Sequence, residues 1–180
     1  MTKYLFTLVL VLVTAIVGFA QDQSNARSQA YYHFSKARLL DDQGQASQAI
    51  EEFKKALELD PNNSLIYSEM AESYLRNNRP REATETAAKA ISIDRDNIEA
   101  HKLLTTIYLQ IISRANSQQP PSAETINAAI HEFEEIIRID PTERQSFSML
   151  GKLYQLKGDR DKATEIYRKL LEFEPGSEEG

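Results

Sequence analysis

QAIEEFKKALELDPNN, from Gln48 to Asn63, is the stretch from which the fold of this chain can be read. It returns as EATETAAKAISIDRDN (Glu82 to Asn97), INAAIHEFEEIIRIDP (Ile126 to Pro141) and KATEIYRKLLEFEPGS (Lys162 to Ser177). Each copy holds an alanine, a residue four places on, and another three places further. These are Ala49-Phe53-Ala56, Ala83-Ala87-Ala90, Ala129-Phe133-Ile136 and Ala163-Tyr167-Leu170. Steps of four and three keep side chains on one face of an α-helix. Asp60-Pro61, Asp140-Pro141 and Glu174-Pro175 should stop three of these helices, because proline lacks an amide donor and disfavours helix in the residue before it.

A second helical stretch precedes each copy, so the chain falls into helix pairs with a period of 34 residues. The first pair is expected over 30–42 and 46–60, the second over 64–76 and 81–93, with Pro80 in an opening turn where its missing donor costs nothing. The third should start at Ile98 behind the capping pair Asp96 and Glu99, and the fourth after Thr142, with Gln145 completing a similar box. Gln43-Gly44-Gln45, Asn77-Asn78 and Lys157-Gly158-Asp159 read as the turns inside the pairs. Residues 21–29 are polar and aperiodic and read as a flexible lead-in.

Composition narrows the class. With 41% hydrophobic and 27% charged residues, six glycines and six prolines in 180, the chain has the balance of a folded, helix-rich protein. The formal charge of −6 is relieved by no basic cluster, so nucleic acid is not an expected partner. No cysteine is present, which excludes disulfides, thiolate metal sites and a lipid-modified N-terminal cysteine.

MTKYLFTLVLVLVTAIVGFA, residues 1–20, has Lys3, an apolar run from Leu5 to Val17 and small residues before polar QDQS. This is the layout of a secretory signal peptide with cleavage after Ala20. An uncleaved anchor is the alternative, since 4–20 is near the lower limit of about 17 residues for a spanning helix. Either way the remainder is expected outside the cytoplasm, in a periplasm or cell envelope.

Four in-phase copies over residues 30–177 resemble the tetratricopeptide repeat, a 34-residue helix-turn-helix with a W-x2-L-G-x2-Y, A-x3-F, A and P pattern. The fourth copy supplies Phe147, Leu150, Gly151, Tyr154, Ala163, Tyr167 and Pro175, and the second Tyr67, Met70, Ala71, Tyr74, Ala83, Ala87 and Ala90, with Arg95 where proline is usual. The first has Ala37, Leu40, Ala49, Phe53, Ala56 and Pro61, with His33 and Lys36 at apolar positions. The third has Leu104, Thr105, Tyr108, Ala129, Phe133 and Pro141, with His101 in the aromatic place. The resemblance implies an all-α solenoid of four antiparallel helix pairs in a right-handed superhelix, preceded by the N-terminal hydrophobic signal or anchor helix. Its repeats would occupy 30–63, 64–97, 98–143 and 144–177, with 178–180 a tail or a truncated continuation. Ala37, Ala71 and Gly151 would let paired helices approach, while Phe53, Tyr74, Tyr108 and Tyr154 fill the space between pairs. Enlarging Ala71 or Gly151 should cost about 1–3 kcal/mol by overpacking.

The pattern breaks twice. The third repeat carries twelve extra residues within IISRANSQQPPSAE. Ile111 and Ile112 should extend its first helix, and Ser122 should cap the second. The polar loop between them is either a tolerated insertion or a partner contact. At the other break, Leu153, Leu156, Ile166 and Leu170 are expected to leave the last pair partly uncovered, which points to a longer array or to self-association through the C-terminal repeat.

No HExxH, phosphate loop or G-x-S-x-G occurs, so no catalytic, cofactor or metal residues are assigned. His33 and His101 read as core or groove-edge residues. His131 and Glu135, four apart, could share a metal, but HEFEE reads more simply as a solvated acidic face. Asp41-Asp42-Gln43-Gly44 lacks the ligand pattern of a calcium loop, and the sequon Asn62-Asn63-Ser64 sits in a tight turn. The resemblance instead implies a concave groove lined by Tyr31, Phe34, Arg38, Leu65, Glu69, Glu72, Lys102, Thr106, Gln145, Met149 and Lys152. Relatives that clamp the C-terminal carboxylate of heat-shock chaperones use basic and asparagine side chains. The matching positions are Phe34, Arg38, Glu69, Glu99 and Leu103, so that clamp is missing. The expected function is a non-enzymatic scaffold holding a protein or peptide partner, without small-molecule substrate, and touching membrane only through residues 1–20 if these are uncleaved. The rivals are the N-terminal array of a longer chain bearing an enzyme domain, and a spacer without groove ligand.

Overall fold

The computed structural model describes residues 24–115 and 118–172, and among them all regular structure is helical. The helices are α1 (24–42), α2 (Ala46–Leu59), α3 (Ser64–Arg76), α4 (Pro80–Ile93), α5 (Ile98–Arg114), α6 (Ala123–Ile139), α7 (Arg144–Lys157) and α8 (Arg160–Glu172). From α2 onward each helix packs on its sequence neighbours, so the described residues form a stack of hairpins. Expectations for residues 1–20, for Glu174-Pro175 and for the tail lie outside the described residues. Among the described residues, no helix is long and apolar enough to cross a membrane.

The repeated alanines set the spacing. Ala37, Ala49, Ala56, Ala71, Ala83, Ala87, Ala90 and Ala129 are fully buried, and so is Phe53 in the first hairpin. Tyr74 and Tyr154 are buried and Tyr108 is half-buried. Truncating Phe53 to alanine would cost about 3–5 kcal/mol. Leu153 corrects one expectation: it is buried in the core formed with α6, and the uncovered residue of this helix is Leu156.

The turns explain the boundaries. Gly44, Asn78 and Gly158 occupy one register position and take left-handed backbone, with φ of 73°, 55° and 86°. Glycine and asparagine adopt that region at least cost. The same register in the third repeat falls on Ile112, whose branched Cβ resists it, and α5 runs on through Arg114. Helices α2, α4 and α6 end with Asp60, Asp94 and Asp140 as C-caps, so the second repeat stops without a proline.

Three boundary expectations need correction. Residues 24–29 are helical turns of α1, where Ser28 donates to the Ser24 carbonyl and Gln29 to the Asn25 side chain. No glycine or proline interrupts the run, so helix propagates outward from buried Ala30. The cap of α5 is Asn97, which accepts from the Ala100 amide, while Asp96 instead takes a hydrogen bond from Arg138. The cap of α7 is Glu143, accepting from the Ser146 amide, because the Thr142 hydroxyl is spent on Asp140. Ser122 caps α6 as expected, and Pro80 opens α4.

Candidate functional site

Helices α3, α5 and α7 are the first members of their hairpins, and side chains one helical turn apart on them share an open face. Two clefts lie along that face on either side of α5. The first, of about 290 Å³, runs between α3 and α5 and is lined by Glu72, Leu75, Arg76, Glu99, Lys102, Leu103 and Thr106. The second, of about 310 Å³, runs between α5 and α7 and is lined by Lys102, Thr105, Thr106, Leu109, Glu143, Gln145, Ser146 and Met149, over Phe133 and Ile136 of α6. Lys102 and Thr106 line both and form the ridge between them. Helices α3 and α5 approach each other directly. By contrast, no Cα of α5 comes within 8 Å of one in α7, so α6 becomes the floor of the second cleft.

Charge is unevenly distributed here. Burial, then the neighbouring charges of Glu69 and Glu99, hold the Glu72 carboxyl above the usual range, with Arg38 acting against them. Arg76 donates to Glu72 at 3.1 Å and to buried Asp41 of α1. Arg38 lies 3.8 Å from Glu69, with its guanidinium over the Phe34 ring.

Of the eleven positions named from sequence, Glu72, Lys102, Thr106, Gln145 and Met149 line the clefts, and Glu69 stands beside the first through its charge on Glu72. Phe34 is half-buried against Phe53, its ring centroid 6.0 Å away, and is a packing residue. Tyr31 is 71% exposed and Leu65 48% exposed, and neither they nor Lys152 line either of these two clefts. Sequence reasoning missed Leu75, Arg76, Leu109, Glu143, Phe133 and Ile136. Leu75 and Leu109 share one register position, a signal that was available; the α6 floor had none, because it follows from the wide α5–α7 gap.

Two of the three histidines, His33 and His101, pair with carboxylates inside their repeats, while His131 is exposed. His101, 2% exposed, places Nδ1 2.6 Å from Glu132 Oε2 and Nε2 3.1 Å from the Arg95 carbonyl oxygen. Two acceptors facing both ring nitrogens call for two N–H groups, which is the imidazolium. Burial pushes this ring down, but Glu132, the Arg95 carbonyl and the charge of Glu135 together hold it above its ordinary value. At the same register of the first repeat His33 contacts Glu52 at 2.7 Å. Hydrogen bonds from Lys55, His33 and Lys36 bring the Glu52 carboxyl down to about 2. The even-numbered repeats replace these pairs by Tyr67 with Thr86 and Phe147 with Ile166. HEFEE is therefore not a plain solvated face: Glu132 is buried on His101, and Glu135 is held by Arg95 and Arg138. Among the described residues, no group of three or more His, Asp or Glu is placed to hold a metal ion.

Comparison with known proteins agrees with this architecture. Residues 42–107 and 145–177 match models described as tetratricopeptide repeat. Mouse BBSome complex member BBS4 is 27% identical over 151 residues, covering 83% of this chain and 26% of its own length. The bovine protein of that name is 28% identical over the same shares, so the chain spans about a quarter of the curated relatives it matches. Among solved structures, a MamA protein superposes with a TM-score of 0.64 at 22% identity, over 80% of this chain and 72% of that one. The first repeat domain of RPAP3 bound to the HSP90 peptide SRMEEVD superposes with a TM-score of 0.60 at 17% identity, over 73% and 98%. At these identities the structural likeness is one of fold.

Proposed function

This chain belongs to the tetratricopeptide repeat proteins, and on that footing we propose that it is a non-enzymatic scaffold whose α3–α5–α7 face holds a segment of a partner protein. The observation that carries the reading is the pair of adjoining clefts sharing Lys102 and Thr106. Apolar floors give a bound segment contact area, and the charged ridge gives it orientation. The RPAP3 domains solved with bound peptides support a protein segment as the occupant. The apolar leader over residues 1–20 supports a place outside the cytoplasm, in the cell envelope.

Pull-down from envelope extracts with the wild type and with Thr106→Arg/Met149→Arg tests the reading. Thr106 is exposed and Met149 is half-buried at the edge of the second apolar cluster, so an unchanged circular dichroism spectrum is needed to show that the variant is folded. Loss of specific partners from the variant is the expected result. Identical partner sets would make the array a spacer with no ligand on this face.

A further inference from the structure

The two clefts differ in what lines them. The first has an apolar floor, Leu75 and Leu103, below the carboxylates of Glu72 and Glu99. The cation paired with Glu72 is Arg76, which is shared with buried Asp41, and Lys102 on the same rim is shared with the second cleft. A side chain with a long aliphatic stem and a cationic head satisfies both halves of this cleft. The second cleft, floored by Phe133 and Ile136 and walled by Met149, suits a large apolar side chain.

Spacing links the two. They flank a single helix, which is roughly 10–12 Å across with its side chains. An extended chain advances about 3.3 Å per residue and its side chains alternate between two faces, so side chains four places apart lie on one face and reach both clefts. The Lys102 ammonium on the ridge then meets the backbone carbonyls of the crossing segment. We infer that the occupant is an extended segment of a partner protein carrying Lys or Arg four positions away from Leu, Ile, Met or Phe. The choice rests on charge complementarity at Glu72 and Glu99, and it rests on the reading of this face as a protein-binding groove. An acidic segment brings the wrong sign to the first cleft.

Panning a phage-displayed library of random dodecapeptides on the full chain, held in detergent micelles, tests this. Enriched peptides are expected to pair a basic with a large apolar residue at that separation. A synthetic copy should bind roughly tenfold more weakly to Glu72→Lys/Glu99→Lys, since like charges at an interface oppose binding. It should also weaken as salt is raised, and an unchanged circular dichroism spectrum shows that the variant is folded. No enrichment, enrichment of acidic peptides such as SRMEEVD, or binding unmoved by the charge reversal would overturn the inference. Peptides of another pattern that are lost on Thr106→Arg would overturn it while leaving the groove in place. Peptides indifferent to Thr106→Arg would remove both.

Discussion

Gly151 holds the register position filled by Ala37, Ala71 and Thr105 in the other first helices, and its neighbour explains the difference. A Cβ there would lie 2.5 Å from Cε1 and 2.6 Å from Cζ of Tyr167, on the facing helix α8. Gly151→Ala gains roughly 1 kcal/mol of helix propensity but loses about 1–3 kcal/mol to overpacking. The net effect in chemical denaturation should be destabilising. In a Tyr167→Ala background, which removes the ring, the same change should stabilise, and additive effects in the two backgrounds would contradict this account. His101 makes a different prediction. Its pKa is raised in the fold above the ordinary 6.5, so its contribution to stability is fully present below 6.5 and is lost as pH rises through the folded value. Thermal midpoints should therefore fall over that range in the wild type, and His101→Gln should flatten the dependence. An NMR titration placing His101 below 6.5 would reverse the sign.

At the scale of the element, Asn97 does two jobs. Its carbonyl oxygen caps α5 at the Ala100 amide, and its amide group donates to the Ser64 carbonyl at the start of α3. Asn63 caps α3 similarly, but its amide group stays local, on Asp60. Asn97→Ala should cost about 1–2 kcal/mol as a lost cap and more than Asn63→Ala, because one junction between hairpins goes with it. Equal losses in urea melts would show that the bond to Ser64 contributes nothing. This residue also shows how far the sequence could be read. Helix existence, the positions of the turns inside the pairs and the Ser122 cap were legible because each depends on neighbours within a few positions. Asp96 with Glu99 and Thr142 with Gln145 have box spacing, so local pattern alone could not choose between them and the true caps. At Asp96 what decides is distant, since Asn97 reaches Ser64 and Arg138 occupies Asp96, whereas the Thr142 hydroxyl is taken two residues back by Asp140. The clefts were half legible for the same reason, since Glu72 and Lys102 follow from register on their own helices while Phe133 enters from beneath.

Among the described residues the apolar interior forms two clusters, one spanning Ala37 to Ile107 and the other Ile126 to Ala163. Tyr108 packs against both. In a stacked array stability is close to a sum of units and nearest-neighbour junctions, so a residue common to two clusters governs their cooperativity. Tyr108→Ala should separate unfolding into two steps by hydrogen exchange, with α2–α4 and α6–α8 opening independently, whereas the wild type opens as one. A single transition in the variant would place the coupling elsewhere. The gap between α5 and α7 has a mechanical corollary. When the two ends of the array are pulled apart, strain gathers where consecutive inner rods are not braced against each other. The third hairpin is then the hinge, and whatever spans the clefts there acts as a strut that stiffens the coil.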